Sequence, residues 1–156
     1  MDVVEVVSLD DIFVTPLKRI TTEGGDVMHA LKKSDNGYNG FGEVYFSWVE
    51  QGAIKAWKCH QRMTLNLVVP VGEVRFVFHC KTHLAEQKSE PDNEFRIEKL
   101  GNDRYSRINV PPGIWFGFQG LASGSSLLMN VVDMEHDPNE VLRKVATEFA
   151  FDWSVK

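Results

Sequence analysis

The sequence predicts an all-β jelly-roll or small barrel with one late helix packed on its outside. Three observations carry this. Short β-branched and aromatic runs recur along most of the chain, turn residues punctuate them, and the hydrophobic period changes only near the end. Closing such strands on one another avoids long exposed sheet edges.

Taken in order, Val3 to Val7 is a β-branched run, followed by Gly24-Gly25 and the turn-rich segment Ser34 to Gly42. Glu43 to Val49 and Ala53 to Cys59 read as strands joined at Glu50-Gln51-Gly52. Thr64 to Val71 and Glu73 to Cys80 read as a hairpin about Val71-Gly72, and polar Lys81 to Asn93 as a loop. Glu94 to Leu100 and Arg104 to Val110 flank Gly101-Asn102-Asp103, a second hairpin signal. Pro111-Pro112-Gly113 is a rigid corner before strand-like Ile114 to Gln119, and a Ser/Gly turn leads to Leu127 to Val132. At Asp137-Pro138-Asn139-Glu140 the pattern changes to an N-cap, a proline at the first helical position and an acid three residues after the cap. Val141, Leu142, Val145, Ala146 and Phe149 then fall on one face of the expected helix.

Length and composition set the remaining bounds. The 156 residues predict one domain over 1–156, able to bury roughly two-thirds of the surface of its unfolded chain. A net charge of -5 disfavours nucleic acid and anionic membranes as partners, while leaving room for a local basic pocket. No apolar run approaches the roughly 18 residues of a span, and no charged-then-apolar leader opens the chain. Cys59 and Cys80 lie inside apolar strand-like runs and read as buried free thiols. Together these features predict a cytoplasmic protein.

The segment from Gly52 to Gly72 is the most informative. Its spacing resembles the first cupin motif: Gly, five residues, His, one residue, His, four residues, Glu, six residues, Gly. Here the first His position is Lys58, the second is His60, and the Glu position is Leu65. Gly52-Ala53-Ile54-Lys55-Ala56-Trp57-Lys58, Val71-Gly72-Glu73-Val74 and Val110-Pro111-Pro112-Gly113-Ile114-Trp115-Phe116-Gly117-Phe118 are similar to stretches of the sugar-nucleotide cupins. That branch holds the dTDP-4-dehydrorhamnose 3,5-epimerases and the dTDP-sugar 3,4-ketoisomerases. The resemblance runs from about Gly25 to Asp137 and implies a cupin jelly-roll barrel.

Carried over residue by residue, it also shows departures. The epimerases' general-base His is Lys58, their catalytic Tyr falls near Met129, and the His after Pro-Pro-Gly is Phe116. Their phosphate-contacting Arg is Lys55, Gly24-Gly25 stands where they have Arg-Gly, and Ser47 matches a family Ser. The ketoisomerases place two His where Lys58 and His60 stand, and the chain resembles them slightly better. In either branch the products feed polysaccharide assembly, and the resemblance implies a homodimer.

The residues then limit the chemistry. A cupin metal site draws three His and one carboxylate from two motifs; Lys58, His60, Leu65 and Phe116 supply one such ligand. No metal and no other cofactor is therefore expected. Proton transfer beside a ketone needs only a base and a group that stabilises the enolate. Lys58 and His60 are two apart on one strand and should share a face. Lys58 can act as base if its pKa is lowered, or it can stay charged and stabilise the enolate with His60 as base; the second demands less of the site. Tyr45, Ser47, Lys55, Trp115 and Asn130 are the expected substrate contacts. Tyr45 and Trp115 would stack on a ring, and Lys55 would hold phosphate. Core packing for Trp115, an outward-reaching Lys58 and a structural His60 are the competing readings. His29, His79, His83 and His136 are assigned no role.

The expected activity is that of an epimerase or ketoisomerase on a nucleotide-linked 4-keto sugar, without a metal. The competing reading is a non-catalytic sugar- or nucleotide-binding cupin, and a further one is a purely structural or regulatory partner.

Overall fold

The structure, a computed structural model, describes residues 7–80 and 94–154. Most of the run expected over 3–7 and the loop expected over 81–93 lie outside them. The strands are β1 Phe13–Pro16, β2 Arg19–Ile20, β3 Val27–Met28, β4 Glu43–Val49, β5 Ile54–His60 and β6 Leu65–Val71. They continue as β7 Glu73–His79, β8 Phe95–Gly101, β9 Ser106–Val110, β10 Trp115–Gly120, β11 Ser126–Val132 and β12 Val141–Arg143. One five-stranded sheet has the order β1-β9-β6-β11-β4, and the other β12-β5-β10-β7-β8. β2 and β3 pair as a small ribbon. Among the described residues no helix is long and apolar enough to cross a membrane.

Most successive strands from β4 onward cross from sheet to sheet, which corrects both expected hairpins. β6 and β7 meet at Gly72 but belong to different sheets, and β8 and β9 separate in the same way apart from a bridge between Gly101 and Arg104. The physical reason lies at the corner. Gly72 adopts φ +83, and a Cβ there would lie 2.2 Å from Ser126 Oγ. The chain turns there against β11, so the turn residues fix a change of direction without fixing the partner. β7 instead pairs with β8 from Glu73↔Gly101 to His79↔Phe95.

The second correction is the late helix. Residues 141–143 form a strand antiparallel to β5, with Val141↔His60, Leu142↔Cys59 and Arg143↔Lys58. Backbone bonds between Trp57 and Lys144 continue the pairing in both directions at 2.8 and 3.0 Å. The edge of β5 would otherwise expose unpaired N–H and C=O groups, and pairing there wins over local helical periodicity. β12 therefore joins the barrel wall, and only the turns after it, with Phe149, Phe151 and Trp153, pack on the outside of the sheet.

Two apolar clusters stabilise this arrangement. The sheets enclose Leu67, Phe76, Phe78, Ile108, Phe116, Phe118 and Leu128. Outside the second sheet, Trp57, Cys59, Val77 and Trp115 pack beneath Phe149, Phe151 and Trp153. Phe149, Phe151 and Trp153 are partly buried there, so the C-terminal segment is held to the sheet by its aromatics. Cys59 and Cys80 are free and buried.

Candidate active site

Alternation along β5 sends Trp57 and Cys59 to the outer cluster and Lys58 and His60 inward. Facing them across the barrel, β4 contributes Tyr45 and Ser47, and β11 contributes Leu128 and Asn130. These side chains line one small cavity of about 70 Å³ that opens to solvent at its mouth. Leu67, Phe116 and Phe118 give it an apolar floor, and His136, Val141 and Arg143 complete the wall.

His60 is held by Glu140, a residue with no site role in the sequence reading. His60 Nδ1 donates to Glu140 Oε1, and both side chains are almost fully buried. Glu140 also accepts from the backbone N–H groups of Arg62 at 3.2 Å and Met63 at 3.3 Å. Burial alone would raise its pKa, but the His60 bond and these two N–H groups hold it below the ordinary 4.5. Glu140 therefore stays ionised and fixes the proton on Nδ1, leaving Nε2 as the nitrogen with a free lone pair. Phe116 lies along the imidazole, with ring centroids 6.0 Å apart and planes 22° from parallel.

The acidic exit of β11 places Glu140. Asp133 accepts from the Thr64 N–H at 2.9 Å, Asp137 pairs with Arg62 at 2.9 Å, and the Gln61 N–H donates to the Glu140 carbonyl at 2.8 Å. These contacts tie residues 133–140 to the corner after β5. The pattern Asp-Pro-Asn-Glu signals a helix start, which is why the carboxylate of Glu140 read as a cap. Only the pairing of β12 with β5 shows what it does.

A second polar pair comes from the other sheet. Asn130 Nδ2 donates to Tyr45 Oη at 2.9 Å, so the phenol keeps its own proton to give. Burial raises the Tyr45 pKa above its ordinary 10.0, against the lowering effect of the Asn130 bond, and the charges of Glu43 and Glu140 add to the rise. Among the described residues, Asn130 Oδ1 is buried without a hydrogen-bond partner. Met129, near which the epimerases' Tyr falls, alternates away from the cavity between Leu128 and Asn130.

Lys58 is half-buried. Burial lowers its pKa from 10.5, and the neighbouring charges of Arg143 and Lys55 lower it further. The cavity thus brings together Tyr45, Ser47, Lys58, His60 and Asn130. It does not include Lys55 or Trp115. Lys55 Nζ donates to the Trp48 carbonyl at 2.9 Å, and its side chain lines an outer groove. Trp115 is 8% exposed within the outer aromatic cluster, so stacking on a ligand gives way to core packing.

The metal positions of a cupin are filled by groups that do not fit a metal. Leu65 and Phe116 belong to the apolar core, and Lys58 carries an ammonium beside His60. Among the described residues no three His, Cys, Asp or Glu are grouped to ligate an ion.

No protein-family model matches the chain. A curated relative, the spore coat polysaccharide biosynthesis protein SpsL of Bacillus subtilis strain 168, is 20% identical over 132 residues, covering 85% of each chain. Among solved structures, QdtA, a sugar 3,4-ketoisomerase from Thermoanaerobacterium thermosaccharolyticum, superposes with a TM-score of 0.70 at 16% identity, over 90% of this chain and 93% of that one. The epimerase RmlC from Legionella pneumophila Philadelphia 1 gives 0.74 at 16%, over 97% and 82%. A dTDP sugar isomerase from Desulfovibrio desulfuricans G20 is 32% identical with a TM-score of 0.80, covering 91% of this chain and 90% of its own. At that identity over nine-tenths of both chains, the protein belongs to the dTDP-sugar isomerase family of RmlC-like cupins.

Proposed function

We propose that the protein acts as one domain that moves a proton beside the keto group of a nucleotide-linked 4-keto sugar, as a 3,4-ketoisomerase or a 3,5-epimerase. The observation that carries this reading is the meeting of two polar pairs, His60–Glu140 and Tyr45–Asn130, on the wall of one cavity. Solved ketoisomerase relatives hold TDP and TDP-4-keto-6-deoxyglucose, which supports the substrate class. The SpsL relative supports a product destined for polysaccharide.

In this mechanism His60 Nε2 removes the proton from the carbon next to the carbonyl. The C–H electrons move into the new C=C bond and the carbonyl electrons onto oxygen, giving an enolate. The Lys58 ammonium stabilises that oxygen, and Glu140 stabilises the imidazolium that forms. Epimerisation is completed when the Tyr45 hydroxyl returns a proton to the same carbon from the other face. Ketoisomerisation is completed when the proton from C3 is delivered to C4 and the hydroxyl proton passes from O3 to O4.

The test is NMR of a dTDP-4-keto sugar in D2O with the enzyme. A carbonyl migrated to C3 with deuterium at C4 identifies the ketoisomerase, and deuterium at C3 or C5 with the carbonyl still at C4 identifies the epimerase. Binding with neither exchange nor migration of the carbonyl overturns catalysis and leaves a sugar-nucleotide binding module. Reduced, buried thiols support a cytoplasmic setting.

The proposal extends to a homodimer. β4 is an edge strand, and Val44, Phe46 and Trp48 on its outer face are 43%, 59% and 60% exposed. Large apolar side chains on an open edge favour pairing with a second copy.

A further inference from the structure

We propose that Arg143 is the contact for the substrate's diphosphate, at the ridge where the cavity meets the outer groove; this rests on the nucleotide-sugar reading above. Arg143 lies directly opposite Lys58 in the β12–β5 pairing. Both residues line the cavity, and both line the groove of about 570 Å³ on its far side. The two spaces therefore share a rim made of two cations.

That rim is out of keeping with the rest of the chain. Like charges opposite one another on antiparallel strands destabilise the sheet, and the protein as a whole carries -5. Among the described residues, neither the Lys58 nor the Arg143 side chain has a hydrogen bond or an ion pair. The other cations of the groove are engaged. Lys55 donates to the Trp48 carbonyl at 2.9 Å, and Lys144 pairs with Glu148 at 3.3 Å while lying 5.3 Å from the Trp115 ring.

An anion at the rim removes the repulsion and satisfies both groups. The planar guanidinium matches two oxygens of a phosphate at once, which an ammonium cannot do. Burial divides the pair: half-buried Lys58 is left to the sugar carbonyl, and exposed Arg143 faces the phosphates at the mouth. The nucleoside then runs out along the groove. This moves the phosphate contact from Lys55, where the family resemblance put it, to a strand on which the sequence predicts a helix.

Isothermal titration of the full chain with dTDP, thymidine and inorganic pyrophosphate tests the assignment. Arg143→Gln should weaken dTDP and pyrophosphate by about tenfold or more, leave thymidine unchanged, and flatten the salt dependence of dTDP binding. Arg143→Lys should recover part of the loss and guards against misfolding, while Lys55→Gln should change little. Unchanged dTDP affinity in Arg143→Gln, an equal loss for thymidine, or a larger loss in Lys55→Gln overturns the proposal. Pyrophosphate binding that depends on Arg143, without exchange of any sugar proton, would uphold this site and sink only the reaction.

Discussion

The side chains of His60 and Glu140, eighty residues apart in the chain, meet inside the barrel with the imidazole donating to a buried carboxylate. Glu140→Gln removes the charge that fixes the Nδ1 proton and stabilises the imidazolium. Turnover should fall by roughly a hundredfold with little change in KM, since general acid–base groups contribute about 10²–10⁴-fold. Steady-state kinetics check the split. A comparable loss of binding would mean that Glu140 shapes the cavity and does not act through His60.

The same carboxylate makes stability depend on pH. Its folded-state pKa lies below the ordinary 4.5. Its stabilising contribution is therefore present above about pH 4.5 and is lost as pH falls through the lower folded value. The melting-temperature deficit of Glu140→Gln should shrink on acidification below that point, as read by thermal scans across pH.

Lys58 carries the opposite sign. Its pKa is lowered in the folded protein, so the charged form is less favourable there than in the unfolded chain. Wild-type stability should therefore rise as pH rises from the lowered folded value towards 10.5. Lys58→Met should raise the neutral-pH melting temperature by roughly 1–2 °C, after allowing for solvent screening at this half-exposed site. It should also abolish turnover. A drop in melting temperature would show that the ammonium has a stabilising partner.

Tyr45→Phe separates the two halves of the reaction. His60 still removes the sugar proton, so exchange with D2O should persist. Product formation should fall by about 10²-fold or more as the donor is lost. NMR reads both at once, and equal loss of exchange and product would place Tyr45 in binding.

Phe46→Glu puts a charge in the middle of the exposed apolar row on β4. A dimer paired there should become a monomer of the same fold, measured by light scattering. Retention of the wild-type oligomeric state would remove β4 from the interface.

Much of the barrel was legible because strand alternation is local. Glu43 to Val49 was expected and found, and the shared face of Lys58 and His60 follows from period two alone. Tyr45, Ser47 and Asn130 were legible as candidates, but the hydrogen bond from Asn130 to the Tyr45 hydroxyl spans two strands. Glu140 and Arg143 were missed because capping residues and a helical face are local patterns, and local patterns lose to an edge strand that needs a partner.

The sequence by itself determined the frame: which runs are extended, where the corners fall, and that the metal-ligand positions hold Lys58, Leu65 and Phe116. Tertiary structure decided which strands pair across the corners, that residues 141–143 extend the β5 sheet, and hence which carboxylate meets His60. Those outcomes depend on burying apolar faces and satisfying backbone groups between segments far apart in the chain, and no short window of residues contains that balance.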